Sequence, residues 1–136
     1  MRRLPLALLL HTASHGRHYD LLVLDPTAPD DAEHRLWAAR LSLPPDRWAD
    51  HRRLRLTPLP PHRMRYLTYE GPLTRGRGHV RRVDRGHARA RLWTPRRIVL
   101  DVTLHRFRGR VTLMRHGPDA WHAVAQRSLV GSAGMR

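Results

Sequence analysis

The sequence predicts an all-β protein, a compact antiparallel β-barrel that is closed or partly closed. Three observations lead to this prediction. Short runs rich in Leu, Val, Ile and aromatic residues recur about every ten residues. Gly, Pro, Asp and Ser separate these runs, and no long segment has the apolar periodicity of an amphipathic helix. Many short strands at even spacing are typical of antiparallel barrels.

The first predicted strand, residues 6–11, belongs to an apolar run that follows Met1-Arg2-Arg3. A basic start followed by an apolar run is also typical of a signal peptide. The apolar run covers residues 4–10 only, which is the lower limit for a signal peptide and far too short to span a membrane. We therefore interpret it as a buried strand and expect a cytoplasmic protein.

Turn residues separate the strands that follow. Residues 25–31 form a turn-rich loop, and Pro58, Pro60 and Pro61 form a stiff approach to His62. One domain is expected over residues 1–127, and residues 128–136 are expected to be a flexible tail because most of them are small. The further predicted strands are residues 17–24, 36–43, 65–69, 78–84, 87–93, 97–104 and 110–115.

The charge of the chain favours a polyanionic partner. The 136 residues include 26 basic and 11 acidic side chains, for a net charge of +15, and every basic side chain is Arg. The planar guanidinium group suits bidentate contacts to phosphate, but the same charge fits non-specific binding to nucleic acid or acidic membranes. The absence of Cys excludes disulfides, thiolate zinc sites and a cysteine nucleophile. A metal would therefore be held by His and carboxylate side chains.

The clearest candidate metal ligands are His11, His18 and Asp20. In a strand, His18 and Asp20 point to the same face. If residues 12–17 form a hairpin loop, His11 returns beside His18. Two His and one carboxylate can hold Mn²⁺, Fe²⁺ or Zn²⁺ and leave positions open for a substrate. Ordinary surface histidines would give the same pattern, so this spacing alone is a weak motif.

A second pair, His62 and Tyr66, lies four residues apart. In an extended segment both side chains would face the same way, and an imidazole and a phenol could then contact one phosphate. The alternative interpretation is structural, because a Tyr in a basic strand usually packs against its neighbours.

Together these segments resemble the 3′-phosphoesterase domain of bacterial DNA ligase D, which also occurs as a small stand-alone protein. The resemblance covers nearly the whole chain. Its first signature is a His followed by His-aromatic-Asp, and its second is a His with a Tyr four residues later. The matching residues are His11, His18-Tyr19-Asp20, His62 and Tyr66, with further similarity at 69–72, 76–78, 83–86, 107–113 and Trp121.

The resemblance implies an enzyme that removes a 3′-terminal ribonucleoside or 3′-phosphate from DNA ends before ligation, with a divalent metal that is typically manganese. It implies that His11, His18 and Asp20 bind the metal. His62 would donate a hydrogen bond or a proton to the scissile phosphate, and Tyr66 would orient that phosphate. The implied partners are 3′ ends of DNA or of DNA–RNA primer–templates, together with a separate ATP-dependent DNA ligase and a polymerase. We expect a monomer that does not associate with membranes.

The chain departs from the family pattern at two places. Many members carry an Arg two residues after the Asp, where this chain has Leu22, and the loop between the first two histidines is one residue longer. A phosphate contact is therefore missing. Candidate replacements are Arg17, Arg40, Arg53 and Arg55, of which Arg40 is preferred.

Two other functions remain open. Leu22 also favours a catalytically weak nucleic-acid-binding or ligase-recruiting module with the same fold. Alternatively, the metal site acts on small phosphate esters and the charge of +15 is incidental. Salt separates these alternatives, because nucleic-acid binding weakens steeply as the salt concentration rises.

Overall fold

The computed structural model describes residues 1–128 as a closed, eight-stranded antiparallel β-barrel. The fold class predicted from the sequence is therefore confirmed. Of the predicted tail, residues 129–136 lie outside the described residues. The strands are β1 (Arg3–Ala13), β2 (Gly16–Leu24), β3 (Leu36–Leu41), β4 (Leu54–His62), β5 (Gly71–Pro72), β6 (His79–Trp93), β7 (Arg97–Thr103), β8 (Arg108–Arg115) and β9 (Trp121–Arg127).

The barrel closes because β6 pairs with β7 on one side and with β1 on the other. Around the barrel the order is β1-β2-β3-β4-β9-β8-β7-β6, and β6 pairs back with β1. The two-residue strand β5 pairs with the beginning of β6. Three short 3-10 helices, Pro45–Asp50, Met64–Leu67 and Thr74–Gly76, complete the regular structure of residues 1–128. In that part of the chain no helix is long and apolar enough to cross a membrane.

An apolar core fills the barrel. Leu8 on β1 lies opposite Leu21 on β2, and Leu100 on β7 lies opposite Val111 on β8. All four side chains are buried. The N-terminal apolar run therefore forms a buried first strand, as predicted.

The outer face of β1 and β2 is also covered. Leu9 lies opposite Asp20, and both are buried although they point to the opposite side from Leu8. The cover comes from residues 63–78: Tyr66, Leu67 and Leu73 pack against the core, and the Arg77 carbonyl contacts His11 on β1. The Arg82 guanidinium helps hold this segment by donating to the Leu67 carbonyl at 3.0 Å. The covering segment turns this outer face into one wall of a cleft.

Two predicted segments differ in the structure. Residues 65–69, predicted as a strand, lie largely in a 3-10 helix, in which the Tyr66 N–H donates to the Arg63 carbonyl at 3.1 Å. Residues 78–84 and 87–93, predicted as two strands, belong to the single strand β6. Gly86 lies inside this strand, where a Cβ atom would collide with the Thr103 carbonyl. This glycine permits a close approach of backbones and does not form a corner.

Strands β4 and β9 were absent from the sequence prediction. Pro58, Pro60 and Pro61 made β4 look like a stiff loop. In the structure β9 pairs only with residues 54–56 of β4, so the prolines lie beyond the end of β9. Among residues 1–128, β3 is the only strand that pairs with this part of β4, and a missing N–H is tolerated there.

Candidate metal centre

A tight hairpin brings His11 and His18 together. β1 continues to Ala13 and β2 begins at Gly16, so the connecting turn is shorter than the predicted loop of residues 12–17. His11 lies directly opposite His18 in this hairpin. Asp20 follows two residues later on the same face of β2.

The three side chains converge closely. His11 Nδ1 lies 3.0 Å from His18 Nε2 and 3.7 Å from Asp20 Oδ2. His18 Nε2 lies 3.2 Å from Asp20 Oδ1. One potential ligand atom from each residue falls within 4.8 Å of the others, and no other such group of three exists among the residues described. The predicted His, His, Asp cluster is therefore present as a geometric unit.

A backbone carbonyl fixes the orientation of His11. The Arg77 carbonyl oxygen lies 2.7 Å from His11 Nε2. Because a carbonyl only accepts hydrogen bonds, the neutral imidazole carries its proton on Nε2 and presents the Nδ1 lone pair to His18 and Asp20. Metal-binding histidines are commonly held in this way by a carbonyl on the far nitrogen.

Burial governs the charges of the cluster. Burial, followed by the positive charges of Arg40, His11 and His15, lowers the pKa of His18 to about 4. The imidazole of His18 is therefore neutral at physiological pH, as a metal ligand must be. Burial raises the pKa of Asp20, while His11, Arg40 and His62 act in the opposite direction.

The donor set fits a divalent cation. Two ligands at about 2.1 Å from a cation and at right angles are about 3 Å apart, close to the separations that join His18 to His11 and to Asp20. Asp20 Oδ1 is buried and accepts no hydrogen bond, although His18 Nε2 is near. A buried carboxylate oxygen without a partner is costly, and a bound cation would satisfy it.

The cluster lies in an open cleft of about 730 Å³. His62 and Tyr66 line the same cleft, so the structure brings all five predicted metal and catalytic residues together. His62 ends β4, and its Nδ1 lies 2.7 Å from the Pro60 carbonyl. The proton of a neutral His62 therefore resides on Nδ1, and Nε2 is the nitrogen available to a ligand.

The proximity of His62 and Tyr66 has a different cause from the one predicted. Their rings meet edge to face with centroids 5.7 Å apart. An extended segment does not produce this contact, because Tyr66 belongs to the 3-10 helix Met64–Leu67. The ring of Tyr69 also meets that of Tyr66 edge to face, with centroids 5.8 Å apart.

The predicted phosphate-binding arginines separate into two groups. Arg17 and Arg40 line the cleft, and Arg40 lies directly opposite Asp20 in the β2–β3 pair. Arg53 and Arg55 are not among the cleft residues. They lie near His122 on β9, where burial and then the charges of His116, Arg53 and Arg55 lower its pKa.

Three further residues that the sequence pattern did not predict also line the cleft: His34, Arg63 and Arg77. Arg63 lies within reach of His34, at 3.4 Å from Nε to Nε2, and also pairs with Glu33. The contribution of Arg77 comes from its carbonyl oxygen, which no side-chain pattern reveals. Only the neighbouring glycines, Gly76 and Gly78, hinted at a close backbone approach there.

Comparison with known proteins assigns no family. No protein-family model and no curated protein matches this chain. The interpretation of the cleft therefore rests on its chemistry and on the motifs within it.

Proposed function

We propose that this protein is a metal-dependent phosphoesterase that processes 3′ ends of DNA, removing a terminal ribonucleoside or a 3′-phosphate. The observation that carries the proposal is the convergence of His11, His18 and Asp20 in one cleft with His62 and Tyr66. The resemblance of these motifs to the phosphoesterase domain of bacterial DNA ligase D supports the substrate class. Manganese is the proposed metal, and the cytoplasm is the proposed location.

Each part of the cleft has a role in this proposal. His11, His18 and Asp20 would hold a divalent cation, which when bound would supply positive charge to polarise a phosphoryl oxygen and to favour ionisation of water. His62 would donate a hydrogen bond or a proton to the phosphate from Nε2 in its imidazolium form, because the Pro60 carbonyl accepts from Nδ1. Tyr66 orients the phosphate beside His62.

Arg40 is the proposed replacement for the family arginine. Leu22 is fully buried and lies opposite Ala7 and Ala38 in the sheet, so that position offers no cation to the cleft. Arg40 lies beside Asp20 and is exposed in the cleft, where its guanidinium can bind the substrate phosphate. Arg17 extends the positive charge at the mouth of the hairpin.

The test uses a 5′-labelled primer–template that ends in one ribonucleotide or in a 3′-phosphate. Purified protein is incubated with Mn²⁺ or with EDTA, and the labelled strand is resolved on a gel. We expect metal-dependent loss of the terminal group, which His18→Ala abolishes. The matched control is His51→Ala, since this exposed histidine lies outside the cleft and should leave activity unchanged.

The buried Leu22 also favours a second candidate, a binding module without efficient chemistry. In that case both wild type and His18→Ala bind the primer–template with steep salt dependence, and neither changes its 3′ end. Hydrolysis of a small phosphate ester with little response to salt would instead favour a small-molecule phosphoesterase. Either result would overturn the proposed end-processing activity.

A further inference from the structure

An arginine-rich surface lies on the outer face of β6, β7 and β8, apart from the residues of the cleft. Two rows of side chains cross these strands, because paired residues in antiparallel strands share a face. In one row His87, Thr103 and Arg108 are neighbours, and in the next Arg89, Asp101 and Arg110 are neighbours.

Arg3 on β1 extends the second row, since it pairs with Arg89. We refer to Arg3, His87, Arg89, Arg91, Arg108 and Arg110 as the arginine face.

The positive charge of this face is largely uncompensated. Asp101 is its single acidic residue, and it pairs with Arg91 at 2.7 Å and with Arg110 at 3.0 Å. Within residues 1–128, Arg3, Arg89 and Arg108 are exposed and form no ion pair. Crowding of charge is also evident at His87, whose pKa is lowered by burial and then by Arg3, Arg89 and Arg108.

The chemistry of the face fits phosphate groups at regular intervals. Guanidinium groups bind phosphate through paired N–H donors. Successive rows lie two residues apart along each strand, a spacing of about 6.8 Å. Protein interfaces depend instead on buried aromatic and apolar anchors, and neither row exposes a large apolar side chain. Charge complementarity therefore favours nucleic acid over an acidic protein.

We propose that the arginine face binds the phosphate backbone of double-stranded nucleic acid. Strand β6 connects this face to the cleft: Val80 lines the cleft, and Arg89 lies nine residues farther along the same strand. Nine residues of strand extend about 30 Å, which corresponds to about nine base pairs. If the proposed function holds, the 3′ end occupies the cleft while the duplex behind it lies on the arginine face.

The binding test uses a fluorescent, undamaged 20-base-pair duplex in EDTA, so its result does not depend on turnover. The variant Arg89→Gln/Arg108→Gln is compared with Arg47→Gln/Arg52→Gln, which removes the same charge elsewhere. We expect the slope of log Kd against log salt to fall by about 2 in the first variant and by less than 0.5 in the control. Each lost phosphate contact lowers the slope by about 0.9, so the loss of two contacts corresponds to about 60-fold weaker binding at 0.1 M salt relative to 1 M salt. Arg89→Lys/Arg108→Lys should restore the slope, because it restores the charges.

Three results would overturn the proposal. An equal decrease of the salt slope in the two glutamine variants would mean that the duplex responds to the net charge of the chain and not to this face. An unchanged slope in Arg89→Gln/Arg108→Gln would remove the face from duplex binding. If Arg89→Gln/Arg108→Gln loses binding to phosphatidylserine vesicles but binds the duplex like wild type, the face binds a membrane surface instead.

A length series then tests the connection to the cleft. For an active enzyme, the KM for 3′-end processing should fall as the duplex is lengthened to about nine base pairs and then level off. The Arg89→Gln/Arg108→Gln variant should flatten this dependence without changing kcat at saturating substrate. A KM that is independent of duplex length in the wild type would contradict a shared binding path. If the wild type shows no turnover but Arg89→Gln/Arg108→Gln still lowers the salt slope of duplex binding, only the proposed activity is contradicted.

Discussion

His62 differs from the proposed metal ligands in what its removal should change. It lines the cleft, but its Nδ1 is turned to the Pro60 carbonyl and it is not part of the three-residue cluster. We expect His62→Ala to lower kcat by about 10²- to 10⁴-fold, because a proton donor or acceptor is lost. The affinity for Mn²⁺ should change by less than about threefold.

Kinetics and metal titration of the same preparations check this prediction, with His51→Ala as the matched control. Loss of Mn²⁺ binding in a folded His62→Ala protein would show that His62 is a ligand and that the assigned role is wrong.

Asp101 provides a prediction about pH and stability. Partial burial alone would raise its pKa, but hydrogen bonds from Arg110 and Arg91 and their charges hold it below its usual value. A carboxylate with a lowered folded-state pKa stabilises the fold above its unfolded-state pKa, about 3.9, and this contribution disappears as the pH falls through the folded-state value.

We expect Asp101→Asn to lower the free energy of unfolding by about 1 kcal/mol or less at pH 7, since these pairs are solvent-screened. The difference from wild type should be constant down to about pH 4 and then shrink in more acidic solution. Urea unfolding from pH 3 to 7 measures it, with the exposed Asp31→Asn as control. A difference that grows in acid would contradict the assigned ion pairs.

Among the structural elements, the turn that ends at Gly78 links the covering segment to the metal centre. Gly78 has φ +87°, and a Cβ atom there would collide with the Thr12 carbonyl of β1. The preceding residue, Arg77, provides the carbonyl that holds His11. The close approach of this turn to β1 therefore sets the orientation of one proposed ligand.

We expect Gly78→Ala to weaken Mn²⁺ binding by about 10- to 100-fold, because the Arg77 carbonyl moves away from His11. The matched control is Gly117→Ala, which has a similar φ of +79° but no atom within 4 Å of the added Cβ. Isothermal titration with Mn²⁺ compares the two. Equal affinities would show that the carbonyl contact does not control the site.

At the level of the complete barrel, Asp84 joins β6 to the β7–β8 connection. It is buried, and its carboxylate accepts hydrogen bonds from the backbone N–H groups of Arg85, His105 and Arg106 at 2.7 to 3.0 Å. These bonds hold the turn that precedes Phe107, whose ring packs against Trp48 with centroids 5.5 Å apart. A single carboxylate thus fixes one connection of the closed sheet.

We expect Asp84→Ala to lower the free energy of unfolding by about 3 kcal/mol or more, because it leaves buried N–H groups without an acceptor. Asp84→Asn, which keeps one carbonyl oxygen, should lose less. Urea denaturation measures both, with the exposed Asp119→Ala as control. A loss below about 1 kcal/mol for Asp84→Ala would mean that water satisfies these groups.

The sequence by itself determined the fold class and the composition of the proposed metal site. Alternation of side chains along β2 was sufficient to place His18 and Asp20 on one face, and a hairpin was sufficient to return His11. These inferences succeed because strand periodicity and short turns are local properties of the chain. The same local reasoning failed at β4. Its prolines indicated a loop, but they lie in a strand, beyond the residues that pair with β9.

Only the tertiary structure decided which distant residues meet. A 3-10 helix, and not an extended segment, brings Tyr66 to His62. The fold places Arg40, the preferred candidate, in the cleft and Arg53 and Arg55 beside His122, a separation that charge alone does not reveal. The Arg77 carbonyl reaches His11 across 66 positions of sequence. Such contacts depend on how the barrel closes and how residues 63–78 fold over it, which no local pattern specifies.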